Sequence, residues 1–248
     1  MKLNTFKNSL KIYNYFTTGN HFKFLFVCGL LLCIYAGGVL GISSENFLDS
    51  LVIPMQIPYF NTILFLMYFI NGMFVSNIYN KNFDYFIIRY QKKETFKKKM
   101  IQTINILNIY YSIIFIILYF SLMLLFNYNG IKVIILDKYH ITNLIYIVFF
   151  IVRYFVFINI YASLFNLIYL NKNRHLTIII LTAYILGFFF LDFLDVNNTF
   201  TLNPWIYVFK ENYRSFNLEV FSSIFNFALL LIFYIIIYKF IIKKNEGD

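Results

Sequence analysis

The sequence predicts an all-α membrane protein with six transmembrane helices, both termini cytoplasmic, and an interfacial amphipathic helix ahead of the first span. Three observations predict this. Hydrophobic residues make up 60% of the 248 residues and charged residues only 13%, with a mean hydropathy of +0.69. A soluble domain of this length needs more charge to cover its surface. Six apolar stretches reach the roughly 20 residues that a bilayer's hydrocarbon core requires. Lysine and arginine also fall unevenly on alternate connections, the pattern that orients a membrane protein.

The spans run approximately over residues 22–42, 60–79, 104–126, 144–170, 176–194 and 220–242. The fourth is longer than necessary and is expected to tilt or to project. Only Asn171 to His175 separate the fourth from the fifth, which predicts a tight turn between antiparallel neighbours. With the N-terminus inside, sixteen of the 21 basic residues are cytoplasmic. They are Lys2, Lys7, Lys11 and Lys23 in the tail, then Lys81, Arg89, Lys92, Lys93, Lys97, Lys98 and Lys99 after the second span. Lys172 and Arg174 follow the fourth, and Lys239, Lys243 and Lys244 close the chain. Lys132, Lys138, Lys210 and Arg214 are left outside. Because the bias requires an even number of spans, both termini are inside. The net charge of +10 is then read as orientation and contact with anionic membrane lipid, not as a nucleic-acid interface. The first apolar stretch starts too late and runs too long for a cleaved signal peptide.

The 33 Phe and 22 Tyr follow AT-rich codons, as do Ile, Asn and Lys. This bias points to a low-GC bacterium, and with the apolar composition the expected location is the cell membrane. Cys28 and Cys33 lie five positions apart in the first span, off a common helical face, so neither a disulfide nor a metal site is expected. The chain reads as one membrane domain, 1–248, with three segments outside the bilayer: 1–21, 80–100 and 195–218.

In the first of these, Leu3, Phe6, Leu10 and Tyr13 recur at helical spacing between lysines, as in a basic amphipathic helix on the inner surface. The second reads NKNFDYFIIRYQKKETFKKKM. Phe83, Phe86, Ile87, Tyr90 and Phe96 form an apolar stripe in an otherwise basic helical pattern, and Thr95 is placed to begin a further stretch leading into the third span. Two readings stand: a positive-inside anchor, or an element that offers aromatic knobs to a partner while its lysines touch headgroups. The third holds Pro204, the lone Trp205, Tyr207 and Phe209. It is either a loop flat on the outer surface or a re-entrant gate over the outer mouth.

Inside the spans, polar residues are the expensive ones. Arg153 lies about 13–15 Å from the outer end of the fourth span at helical rise. Facing lipid there, it would cost about 2.5–3.5 kcal/mol, so it is expected to face protein, with Asp192 near the outer end of the fifth span as its partner. The pair would either fix packing or line a polar vestibule. Asn71, Asn105, Asn159 and Asn166 are expected to hydrogen-bond between helices, each contributing on the order of 0.6 kcal/mol. Gly29, Gly37, Gly38 and Gly41 are expected to admit a close neighbour to the first span.

The succession of amphipathic helix, six spans, basic cytoplasmic segment after the second span and outer segment before the last resembles the permease subunits of ABC-2 type ABC transporters. The stretch FIIRYQKKETFKKKM, with Arg89, then Lys92 and Lys93, then Phe96, resembles the coupling region of small permeases of bacteriocin and lantibiotic export and self-immunity systems. NPWIYVF (203–209) resembles the proline-containing turn before their last span. This resemblance implies an ATPase-coupling role for Phe83, Phe86, Ile87, Arg89, Tyr90, Lys92, Lys93 and Phe96, and an outer gate at Pro204, Trp205 and Tyr207. It implies as partners a cytoplasmic ABC ATPase dimer, a second permease copy or related permease, and a hydrophobic or amphipathic peptide cargo. ATP and Mg would sit on the ATPase subunit, with no cofactor on this chain. No Walker A, HExxH or GxSxG occurs, so no catalytic residue is assigned and ATP hydrolysis is expected elsewhere. The alternative left open is a standalone membrane immunity or binding protein without transport.

Overall fold

The computed structural model describes residues 19–36, 47, 51, 54–56, 58–81, 93–126, 133–136, 140–170, 179 and 215–243. Among them are five long helices: α1 (Asn20–Tyr35), α2 (Pro58–Lys81), α3 (Lys93–Phe126), α4 (Asn143–Leu170) and α5 (Phe216–Lys243). Proline appears in them only at Pro58, the first residue of α2, where its missing N–H and fixed φ are harmless. α2 to α5 are each long and apolar enough to cross a membrane. The chain is therefore a membrane protein. The tail before residue 19, the fifth apolar stretch apart from Ile179, and the outer segment 195–214 lie outside the described residues.

Side-chain contacts fix the running directions. Tyr68, Asn71 and Tyr79 of α2 meet Ser112, Asn108 and Thr103 of α3, so these two are antiparallel. Phe115 meets Phe155, and Ser112 meets Asn159, which sets α4 antiparallel to α3. Phe65 and Phe69 pack on Phe165 and Tyr169, so α2 and α4 are parallel. Phe22 packs on Tyr110, and Gly29 lies beside Phe115, so α1 runs with α3. On α5, Phe216 packs on Phe149 of α4, and Ile241 shares a small core with Leu167 and Ile101. The last helix is thus parallel to α4.

α3 is the longest element. Its 34 residues span about 51 Å at 1.5 Å per residue, well beyond a hydrocarbon core of about 30 Å. Its projecting first turns carry Glu94 and Lys98, an i,i+4 ion pair, and the exposed Lys99. The sequence places a new stretch at Thr95. The helix in fact begins at Lys93 and continues unbroken into the span. Phe96 departs from its expected place as a knob for a partner. It is 1% exposed, packed 5.6 Å from the Tyr79 ring in a cluster with Val75, Met100, Ile104 and Leu107. Its helical phase turns it toward α2, so it braces the first turn of α3 against the last turns of α2.

Two glycines set the helix spacing. A Cβ at Gly29 would come within 2.8 Å of the Tyr111 hydroxyl, which itself donates to the Leu25 carbonyl at 3.1 Å. A Cβ at Gly72 would overlap the Asn166 amide. Gly29 does admit a close neighbour. Gly37, Gly38 and Gly41 lie outside the described residues. An unforeseen element is a hairpin of β1 (Ile135–Leu136) and β2 (Ile141–Thr142), paired antiparallel between α3 and α4. Its turn contains His140 at φ 52°.

Gly72→Ala is expected to destabilise the fold by about 1–3 kcal/mol through overpacking, and Asn166→Ala in the same chain to recover most of that loss. Unfolding in mixed micelles under an SDS titration reads both. Equal stability of Gly72→Ala and the native chain would contradict the α2–α4 contact.

Candidate functional site

The polar residues of the spans converge in two places. The first is a node where α2, α3 and α4 meet. The Ser112 hydroxyl donates to the Asn108 carbonyl at 2.9 Å and accepts from the Tyr68 hydroxyl and from Asn159 Nδ2, both at 2.7 Å. One donor and two acceptor positions saturate a serine hydroxyl. Asn159 Nδ2 also donates to the Phe155 carbonyl at 2.8 Å. One turn of α3 toward the lysine-bearing end, Asn71 Nδ2 donates to Asn108 Oδ1 at 2.9 Å. Farther along, Asn105 Nδ2 donates to the Tyr234 hydroxyl of α5 at 2.8 Å, and the Tyr79 and Thr103 hydroxyls lie 2.9 Å apart. A polar line therefore runs through the bundle along the inward face of α3, whose outward face offers Ile109, Ile113 and Ile117 to lipid.

Asn71, Asn105 and Asn159 bond between helices as the sequence leads one to expect. Asn166 does not. Its amide is buried against Gly72, and neither Oδ1 nor Nδ2 has a partner among the described residues. Asn71 Oδ1, Asn108 Nδ2 and Asn159 Oδ1 are likewise unmatched there. In a medium without water such atoms cost free energy, so this centre is polar beyond what packing alone demands.

The second place is Arg153. Its Nη1 donates to Glu219 Oε1 at 2.6 Å and to Ser223 Oγ at 3.4 Å. The Arg153 and Glu219 side chains are 3% and 2% exposed. The guanidinium carbon lies 5.3 and 5.6 Å from the ring centres of Phe149 and Phe150, within cation–π range. Side chains on a helix lean toward its N-terminus. Arg153 therefore reaches up α4 toward the first turn of α5, where Glu219 also gains from the helix dipole. The Ser223 hydroxyl, tied to the Glu219 carbonyl at 2.8 Å, completes the cluster. Arg153 Nε and Glu219 Oε2 remain unmatched among the described residues.

The carboxylate that meets Arg153 thus belongs to α5, whereas the sequence assigns that part to Asp192, which lies outside the described residues. Glu219 escapes a hydropathy reading because a span edge drawn at Val220 puts it in the loop. The usable signal is charge arithmetic. An arginine buried in a span needs a carboxylate, and Glu219 opens a parallel helix at a similar depth. Of the coupling residues, Phe83, Phe86, Ile87, Arg89, Tyr90 and Lys92 lie outside the described residues. Lys93 is the first residue of α3, and Phe96 is internal. The gate residues Pro204, Trp205 and Tyr207 also lie outside. No group of three or more His, Cys, Asp or Glu side chains gathers as a metal site among the described residues. Comparison with known protein families, with curated proteins and with solved structures finds no match for the chain.

Removing one member of a buried ion pair strands a charge, at a cost of about 3–5 kcal/mol, whereas replacing both with apolar residues is often neutral. Arg153→Met and Glu219→Leu are each expected to lose about that much in SDS-titrated unfolding, and the double variant to return close to the native value. Additive losses would show that the two charges do not depend on each other.

Proposed function

We propose that the chain is the membrane-spanning permease subunit of an ATP-driven ABC exporter of the ABC-2 type. Six spans and cytoplasmic termini complete the reading, and the cargo is a hydrophobic or amphipathic peptide of the bacteriocin class. The observation that carries the proposal is at the lysine-bearing end of the bundle. There α2 and α3 project as a pair clamped by Tyr79 and Phe96, with Lys81, Lys98 and Lys99 exposed. They flank the basic, aromatic segment 82–92. A push on that segment reaches two rigid helices, and through the Ser112 and Asn159 contact it reaches α4. This is the mechanical input an exporter needs to turn ATPase closure into helix movement.

The six-span topology draws support from α4 and α5 being parallel. Two parallel helices in one chain require an odd number of crossings between them, and the interval from 171 to 215 has one apolar stretch long enough, 176–194. Exposed Lys23, Lys81, Lys99 and Lys239 fall at one end of the described helices, which supports a cytoplasmic position for that end by the positive-inside tendency. Arg153, the exception within a span, is neutralised by Glu219. A second permease copy, or a related one, would complete the path. ATP and Mg belong to the ATPase dimer, and the polar line along α3 would meet the parts of a peptide that lipid cannot.

Affinity purification of the chain from its native host in mild detergent should bring down an ATPase subunit, and Phe86→Asp or Tyr90→Asp should lose it at unchanged permease yield. Recovery of the chain without any ATPase would overturn the exporter reading and leave a standalone membrane protein. In intact cells, a cysteine at Lys98 should resist a membrane-impermeant maleimide while one at His140 reacts. The reverse pattern would invert the topology.

A further inference from the structure

We propose that the β1–β2 hairpin is a membrane-seated wedge, held in the headgroup and upper acyl region of the leaflet at the end opposite the lysines. A strand turns successive side chains to opposite faces. Yet Val133, Ile134 and Ile135 are consecutive and are 60%, 48% and 65% exposed. No described protein element covers Val133 and Ile134, which lead into β1, or Ile135 within it, and a two-stranded hairpin by itself is marginal in water.

The apolar surface does not stop at the hairpin. Leu144, Ile145 and Val148 at the start of α4, which follows β2 directly, are exposed large apolar residues, as are Leu124, Leu125 and Phe126 at the end of α3. Those residues lie on helices that face lipid, so the hairpin extends a bilayer-facing surface. The leaflet is therefore its occupant. Its depth is fixed by the helices, because the hairpin is rigidly joined to α4. Asn143 N–H donates to the Ile134 carbonyl at 2.8 Å, and the Ile134 N–H donates to Asn143 Oδ1 at 3.1 Å, adding one more rung to the two of the ladder. The turn closes with the His140 N–H donating to the Leu136 carbonyl at 2.8 Å, and His140 itself is exposed, which puts the polar tip on the water side. An element of this kind lies in the interface plane without spanning it. Exposed apolar surface of this extent on a soluble face would instead mark a partner site or an aggregation liability.

The test uses the full chain in phosphatidylglycerol–phosphatidylcholine vesicles, with Cys28 and Cys33 replaced and one environment-sensitive fluorophore on a cysteine at position 135, 133 or 140. Spin-labelled lipids present in both leaflets make the readout independent of orientation and of any transport role. Labels at 135 and 133 should emit at shorter wavelength than the label at 140 and be quenched several-fold more by shallow spin-labelled lipid than by aqueous iodide. Iodide quenching at 135 and 133 equal to that at 140 would overturn the proposal. So would protection from both quenchers, which would mean that protein, a second copy or a bound peptide, covers the strand.

Discussion

A polar group in a bilayer finds partners only inside the protein, and the arrangement of this bundle follows from that constraint. Lipid is as apolar as leucine, so leucine and phenylalanine alone do not decide which helices meet. The decision falls to the few groups that lipid cannot satisfy. Arg153 binds Glu219 and so places the start of α5 against α4. Ser112, with all its hydrogen-bonding positions filled by Tyr68, Asn159 and Asn108, fixes the rotation of α2, α3 and α4 about one another. Gly72 and Gly29 then let backbones approach where a side chain would hold them apart. The aromatic packing around Phe115 and Tyr119 fills what these contacts have laid out.

The same constraint connects structure to the proposed work. The helices are clamped at the lysine-bearing end by Tyr79 and Phe96, joined in the middle through Ser112, and latched near the other end by Arg153 and Glu219. Between these points lie amide atoms that have no partner among the described residues, on Asn71, Asn108, Asn159 and Asn166. A buried amide atom left unmatched in lipid carries a free-energy cost that a purely structural core avoids.

How much of this was legible in the sequence depends on the range of the interaction. Hydropathy is local, so the spans can be read directly, and α2, α4 and α5 begin and end within a few residues of their predicted bounds. Lysine placement is also local, and it sorts the described lysines to one end. The cost of an amide in lipid singled out Asn71, Asn105 and Asn159 correctly. Their partners were not readable, because a partner depends on helix rotation and register. Ser112 and Tyr68 look like ordinary filler until α2, α3 and α4 are brought together. Glu219 was hidden by a boundary drawn at Val220, four residues after α5 begins. Phe96 carried the right periodicity for an exposed stripe, but its phase belongs to α3 and turns it inward. The hairpin rests on strands of two residues each, too short to leave a period, although the β-branched run Val133–Ile134–Ile135 was its one trace.

The extra crossing between α4 and α5 depends on these two helices running parallel. Oxidative cross-linking of cysteine pairs, in a chain freed of Cys28 and Cys33, measures this directly. Cysteines at Phe149 and Phe216, and separately at Leu167 and Ile241, should form disulfides in native membranes, while Phe149 with Ile241 should not. Efficient cross-linking of Phe149 with Ile241, and none of Phe149 with Phe216, would mean that α5 runs the other way.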